Sequence, residues 1–325
     1  MMKAKQQGFT LLELLVVITL LAVLSVGALV AYEGIGENAS NVSAANSIKT
    51  ADSAIRAFRA VENRYPNQWD NLANLGGEVG NAAGGAFSVL APATRAFFGQ
   101  AVGLTSANAP VQAAMMSLAR VGVTEYQTLT TAATLPAGLA PNEFFNESSG
   151  ATVPADEIEV ELNANGTFNN INEPTFAMSI VPSGGAAGTC TFDGINLAQN
   201  FLAQTEPVVA ALNGASAKLN RINDALDADV CHLVVALGFG KDVPGTTLGS
   251  RVAISTAPTY TNGTVINPAN NYARYIALFH LGSDDEDNAN DAVDQDELFD
   301  RARLLAVVDT EGRNIDTAIA GAFAN

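Results

Sequence analysis

The chain has 325 residues, and Asp and Glu outnumber Lys and Arg by 33 to 16, for a formal net charge of −17. Such a surface repels phosphate, so nucleic-acid binding by bulk electrostatics is excluded and no nucleic-acid partner is expected. The length accommodates one long helix plus one large or two modest globular parts.

The first eight residues form a short basic leader with Lys3 and Lys5, ending at Gly8. From Phe9 to Tyr32 the sequence is almost unbroken apolar residues with one charge, Glu13. At 1.5 Å per residue this stretch spans roughly 36 Å, enough to cross the hydrocarbon core. The basic leader stays on the cytoplasmic side by the positive-inside tendency, which sends everything beyond Tyr32 outward. An ordinary secretory signal has its apolar region upstream of the cleavage site. A cut at Gly8 instead leaves the apolar helix on the mature protein. Glu13 is the anomaly, because an ionised carboxylate near hydrocarbon costs several kcal/mol and is usually paired.

The run Gly8-Phe9-Thr10-Leu11-Leu12-Glu13-Leu14-Leu15-Val16-Val17-Ile18 resembles the type IV prepilin and pseudopilin class. That resemblance implies cleavage after Gly8 by a prepilin peptidase and methylation of the new N-terminal Phe9. It also implies that Glu13 guides assembly by meeting the free amine of Phe9 on a neighbouring subunit.

Beyond Tyr32 the apolar positions Ile48, Ala51, Ile55, Phe58, Val61 and Tyr65 recur in steps of three and four, which predicts a helical face packed on a globular core. Gly34 and Gly36 lower helix propensity between the two halves, and Pro66 is the expected stop. Asn63-Arg64-Tyr65-Pro66, with Trp69, Leu72 and Leu75, resembles the tyrosine-proline turn that closes the long helix in major pseudopilins of type II secretion. The chain departs from many pilins in having no proline between Phe9 and Tyr65.

Residues 76–240 are rich in Gly, Ala, Asn and Thr and read as an inserted or extra subdomain. Within them Val111–Val121 and Leu197–Leu226 carry helical patterns, and Ile158–Leu162 alternates as a half-exposed strand. In residues 241–325, and just before them, short apolar runs predict strands at His232–Leu237, Tyr272–Leu281 and Arg303–Val308, with a turn at Asp309–Gly312. The expected fold is α+β: a long membrane-spanning N-terminal helix packed on an antiparallel sheet. The expected divisions are leader 1–8, membrane and filament-core helix 9–32, amphipathic half and closing turn 33–75, insertion 76–240 and C-terminal sheet 241–325.

Asp284 to Asp300 holds nine acidic residues and no basic one. Asp284, Asp285, Glu286, Asp287, Asp291, Asp294, Asp296 and Glu297 form a candidate calcium site, since hard cations take several oxygen ligands. The pseudopilin resemblance also implies calcium in a C-terminal loop, although Asp291 stands where an EF-hand needs glycine. The two cysteines, Cys190 and Cys231, are permitted to form a disulfide outside the cytoplasm, and such a bridge is common in the resembled class. His232 and His280 sit inside apolar strand patterns, and Gly238-Phe239-Gly240-Lys241 lacks P-loop spacing, so no enzyme is expected. The resemblance implies a structural subunit of a type IV pilus-like or type II secretion pseudopilus filament. Its partners would be copies of itself or related pilins, the prepilin peptidase and the assembly machinery of the inner membrane. It would be single-pass in that membrane and then part of an extracellular or periplasmic filament. The alternative is a minor pilin or membrane-anchored extracellular binding protein that uses residues 76–240 for recognition.

Overall fold

The computed structural model describes residues 10–74, 101–104, 109–129, 157–162, 176–181, 190–197, 230–239, 273–284 and 291–323, with isolated positions between them. Helix α1 (Leu11–Glu62) runs without interruption through Gly34 and Gly36. The chain forms two compact units, one of residues 1–45 with 316–325 and one of residues 46–315.

In the first unit the membrane-length half of α1 exposes its apolar side chains all round. Helix α3 (Ile315–Phe323) joins it through its residues from Asp316 onward. A Cβ at Gly321 would lie 3.6 Å from Asn41 Nδ2, so small residues let the two segments approach. No element is assigned here from the sequence, although Ile315, Ala318, Ile319, Ala322 and Phe323 recur at helical spacing.

In the second unit Ile48, Ala51, Ile55 and Phe58 are buried along one face of α1. Val61 is not: it is 49% exposed, because about 100° per residue carries it a quarter-turn off the stripe. The helix also ends earlier than Pro66. Asn63 takes φ 56°, the left-handed conformation that closes helices, and its amide donates to Arg59 O at 2.9 Å. Asn63, with its short polar side chain, is therefore the stop.

The main sheet has the order β11-β9-β8-β1-β3-β4, and β5 pairs both β8 and β2. The strands are β1 (Trp69–Asn74), β2 (Ala101–Leu104), β3 (Glu125–Leu129), β4 (Glu157–Glu161), β5 (Phe176–Ile180), β8 (His232–Phe239), β9 (Tyr275–Ser283) and β11 (Leu298–Val308). All pairings are antiparallel except β1 with β3, so the sheet is mixed rather than purely antiparallel. Helix α2 (Ala109–Ala119) lies between β1 and β3 in sequence, the kind of crossover that parallel strands require. Strands from residues 76–240 hydrogen-bond into the same sheet as β9 and β11, so pairing crosses the 240/241 boundary.

A second, three-stranded sheet joins the hairpin β6 (Thr191–Phe192) and β7 (Ile195–Asn196) to β10 (Ala292–Val293). Asp193 and Gly194 turn the hairpin at φ 48° and 77°, a primed turn matching strand twist.

The core of the second unit is aromatic. Trp69 meets Phe239 and Phe279 edge-on at 5.5 and 5.3 Å, and Tyr65 meets Phe279 at 5.2 Å. Behind them Asp70 and Arg274 form a fully buried ion pair at 2.7 Å. Tyr65 knits the end of α1 into this core: its amide donates to Val121 O at 2.7 Å, and its hydroxyl accepts from Leu304 N at 2.9 Å and from Arg59.

Close approach demands glycine at Gly122, where a Cβ would lie 2.8 Å from Arg64 Cβ, and at Gly282. A Cβ on Gly282 would lie 3.0 Å from both Glu297 O and Leu298 Cδ2, and 3.1 Å from Val293 Cγ1. The backbone oxygen cannot turn aside as a side chain can. Gly282→Ala is expected to destabilise the protein by about 1–3 kcal/mol, the usual cost of overpacking. Denaturant midpoints of the two proteins check this.

Candidate functional site

The N-terminus of α1 is built as a capping box. Thr10 is the N-cap: its Oγ1 accepts from Glu13 N at 3.3 Å. Glu13 returns the interaction, its Oε2 accepting from Thr10 N at 2.9 Å and from Thr10 Oγ1 at 3.1 Å. The spacing Thr-x-x-Glu is the sequence signature of this cap, and it identifies Thr10, which filament-subunit reasoning alone overlooks. The cap satisfies backbone donors that a helix start otherwise leaves open. It also folds the Glu13 carboxylate back toward the chain end where cleavage after Gly8 would create an amine. Both bonds fall on Oε2, and among the described residues Oε1 accepts none. Gly8 and Phe9 themselves lie outside the described residues.

Leu11–Leu29 is long and apolar enough to cross a membrane. Its polar groups are consumed within the helix. Thr19 Oγ1 donates to the carbonyls of Leu15 (3.0 Å) and Val16 (2.9 Å), and Ser25 Oγ donates to Leu21 O at 2.7 Å. Hydrocarbon offers no partner for a hydroxyl, so this back-bonding removes the cost of placing them there. The remaining surface from Leu11 to Leu29 is dominated by exposed leucine, valine and isoleucine.

The acidic segment is tied into the small sheet. Thr191 N donates to Asp291 O at 3.1 Å, and Val293 of β10 is buried. Glu297 is buried, and its Oε2 accepts from Asp294 N at 2.6 Å, closing the turn that contains Asp296. Asp284 is also buried, and its amide donates to Cys231 O at 3.0 Å. Asp285, Glu286 and Asp287 lie outside the described residues. Among the described residues no three His, Cys, Asp or Glu side chains gather as a metal-ligand set. Cys190 and Cys231 are paired in a disulfide with Cα atoms 5.5 Å apart, which staples the β6–β7 hairpin to the start of β8.

No curated protein and no solved structure matches the chain. Residues 3–29 match the family model of the prokaryotic N-terminal methylation motif, so the chain carries a prepilin-type N-terminal cleavage and methylation segment.

Proposed function

We propose that the chain is a structural filament subunit, cut after Gly8, held in the inner membrane by α1 and then withdrawn from it into a pilus or pseudopilus. The observation that carries this reading is the junction of the methylation motif with the Thr10–Glu13 cap. A plain membrane anchor has no use for a carboxylate at its head, since the charge opposes insertion. A filament helix does. Cleavage places the Phe9 amine one residue before Thr10, beside a helix end that already holds Glu13. The amine of one subunit and Glu13 Oε1 of the next then neutralise each other as lipid is left behind. Apart from Glu13, the predominantly apolar surface of Leu11–Leu29 serves both states, facing lipid before assembly and neighbouring helices after it. The acidic globular part is carried outside, and its charge keeps it soluble there.

Processing is tested by Gly8→Leu. A bulky residue at the cleavage position is expected to leave unprocessed chain in the membrane, read as the heavier species by intact-mass spectrometry. Normal trimming of that variant would remove Gly8 from its role.

A further inference from the structure

The chain contains two histidines, His232 and His280, 48 positions apart, and the fold brings their rings together at 5.3 Å, edge to face. Strand alternation alone would not do this. His280 and Ser283 are three residues apart on β9 and would point to opposite faces. The register, however, pairs Leu233 with Gly282 and Val234 with His280, leaving Leu281 as an extra residue. That bulge flips the alternation and turns His280 to the face of Ser283, which pairs directly with His232. The neighbouring β9–β11 register breaks at the same place, between Leu298 and Arg303.

The hydrogen bonds form a directed chain. Asp227 O can only accept, so His232 Nε2 donates to it at 3.0 Å. A neutral His232 therefore has a bare Nδ1, which accepts from Ser283 Oγ at 2.8 Å. Ser283 Oγ in turn accepts from His280 Nε2 at 2.9 Å. Both rings are buried. This chain sits where three elements meet. His232 N donates to Ser183 Oγ at 2.8 Å, Ser183 N donates to Leu197 O after the hairpin at 3.0 Å, and Asp284 N donates to Cys231 O at 3.0 Å. Cys231 precedes His232, and both half-cystines are completely buried.

We propose that His232–Ser283–His280 is an acid-operated latch that closes the Cys231 end of the sheet over the Cys190–Cys231 disulfide and releases it on acidification. A proton on His232 Nδ1 turns that acceptor into a donor. Ser283 Oγ then faces two donors, and its own hydrogen loses its acceptor. A second proton, on His280, sets two cationic rings against each other. The surroundings favour the closed, neutral form. Burial lowers the pKa of His232 against the opposing pull of Asp227 and Asp284. Burial, with His232 and Arg303 as like charges, lowers His280 to about 4, against the Gly282 carbonyl. Phe299 of β11 packs on the remaining edge of His280 at 4.8 Å. Each group has a folded-state pKa below its unfolded value, so the unfolded or opened form binds more protons. The latch is therefore closed above about pH 6.5, and its hold is lost as pH falls toward about 4.

Two readouts on the full-length chain in detergent micelles test the latch. With 13C-labelled histidine the spectrum holds two ring signals, and His280→Phe assigns them. Both are expected to titrate below the ordinary histidine range, and a midpoint near 6.5 for either would overturn the proposal. The second readout is the rate of disulfide reduction by a phosphine, which acts in acid. Between about pH 7 and about pH 4 the wild-type rate is expected to rise about tenfold more than that of the His232→Gln/His280→Phe double variant, one pKa unit being a factor of ten. Equal ratios would contradict the latch. Ser283→Ala, which keeps both imidazoles and removes the bridge, should speed reduction at neutral pH, and an unchanged rate would contradict it equally.

Discussion

Glu13→Val is expected to insert into the membrane as well as the wild type and to fail in filament assembly. The two effects come from one carboxylate. In the membrane its charge opposes insertion, by about 2.5–3.5 kcal/mol at mid-bilayer on insertion scales and less near a helix end, so removal is neutral or favourable there. In the filament the Phe9 amine of a neighbour would be buried among apolar helices with no counter-charge. Breaking a buried pair by removing one partner costs about 3–5 kcal/mol, and assembly repeats that cost at every subunit. The same substitution removes the reciprocal half of the Thr10 cap. Glu13→Gln separates the two losses. It keeps an acceptor for Thr10 N and loses only the charge, so it too is expected to give few filaments. Sheared-filament yield, compared with membrane-fraction abundance, reads both. Full yield from Glu13→Gln would show that the cap, not the charge, is what matters.

Trp69→Ala is expected to cost about 3–5 kcal/mol of stability, enough to remove a large part of the margin of an ordinary domain. Trp69 is fully buried between Phe239 of β8 and Phe279 of β9, and its Nε1 donates to Pro66 O at 2.8 Å. Truncation leaves a cavity bounded by two rings held on adjacent strands, which cannot collapse without bending the sheet. It also leaves the Pro66 carbonyl without its donor. Trp69→Phe fills most of the cavity and loses mainly that hydrogen bond, so its cost should be nearer 1–2 kcal/mol. Urea denaturation followed by circular dichroism gives both values. A loss below about 1 kcal/mol for Trp69→Ala would show that this cluster does not organise the core.

The N-terminal methylation motif was legible in the sequence because its signals are local. Glu13 stands alone in an apolar background, and Gly8 and Phe9 precede it directly. Thr10 was equally local, yet an argument about charge and membrane overlooks it, because capping is a backbone requirement rather than a hydropathy one. Strands β8, β9 and most of β11 were visible as short apolar runs bounded by Gly and Asp. Strand β1 was not. Trp69 and Leu72 read only as the continuation of the turn that closes the long helix, and the buried partner of Asp70, Arg274, lies 204 residues away. The start of β11 was hidden in the same way, since Asp300, Arg301 and Arg303 line an exposed stretch of it. The two histidines illustrate the limit most sharply. Period-two alternation places His280 and Ser283 on opposite faces, and a single extra residue at Leu281, which no residue type announces, reverses that.

Processing at Gly8 and assembly through the end so created are the proposed role of this chain. The most direct measurement is mass spectrometry of the N-terminal peptide from sheared filaments. The filament subunit is expected to begin at Phe9, to carry a methyl group on its amine and to have no leader residues. A subunit beginning at Met1, one cut beyond Tyr32, or the absence of this chain from the filaments would contradict it.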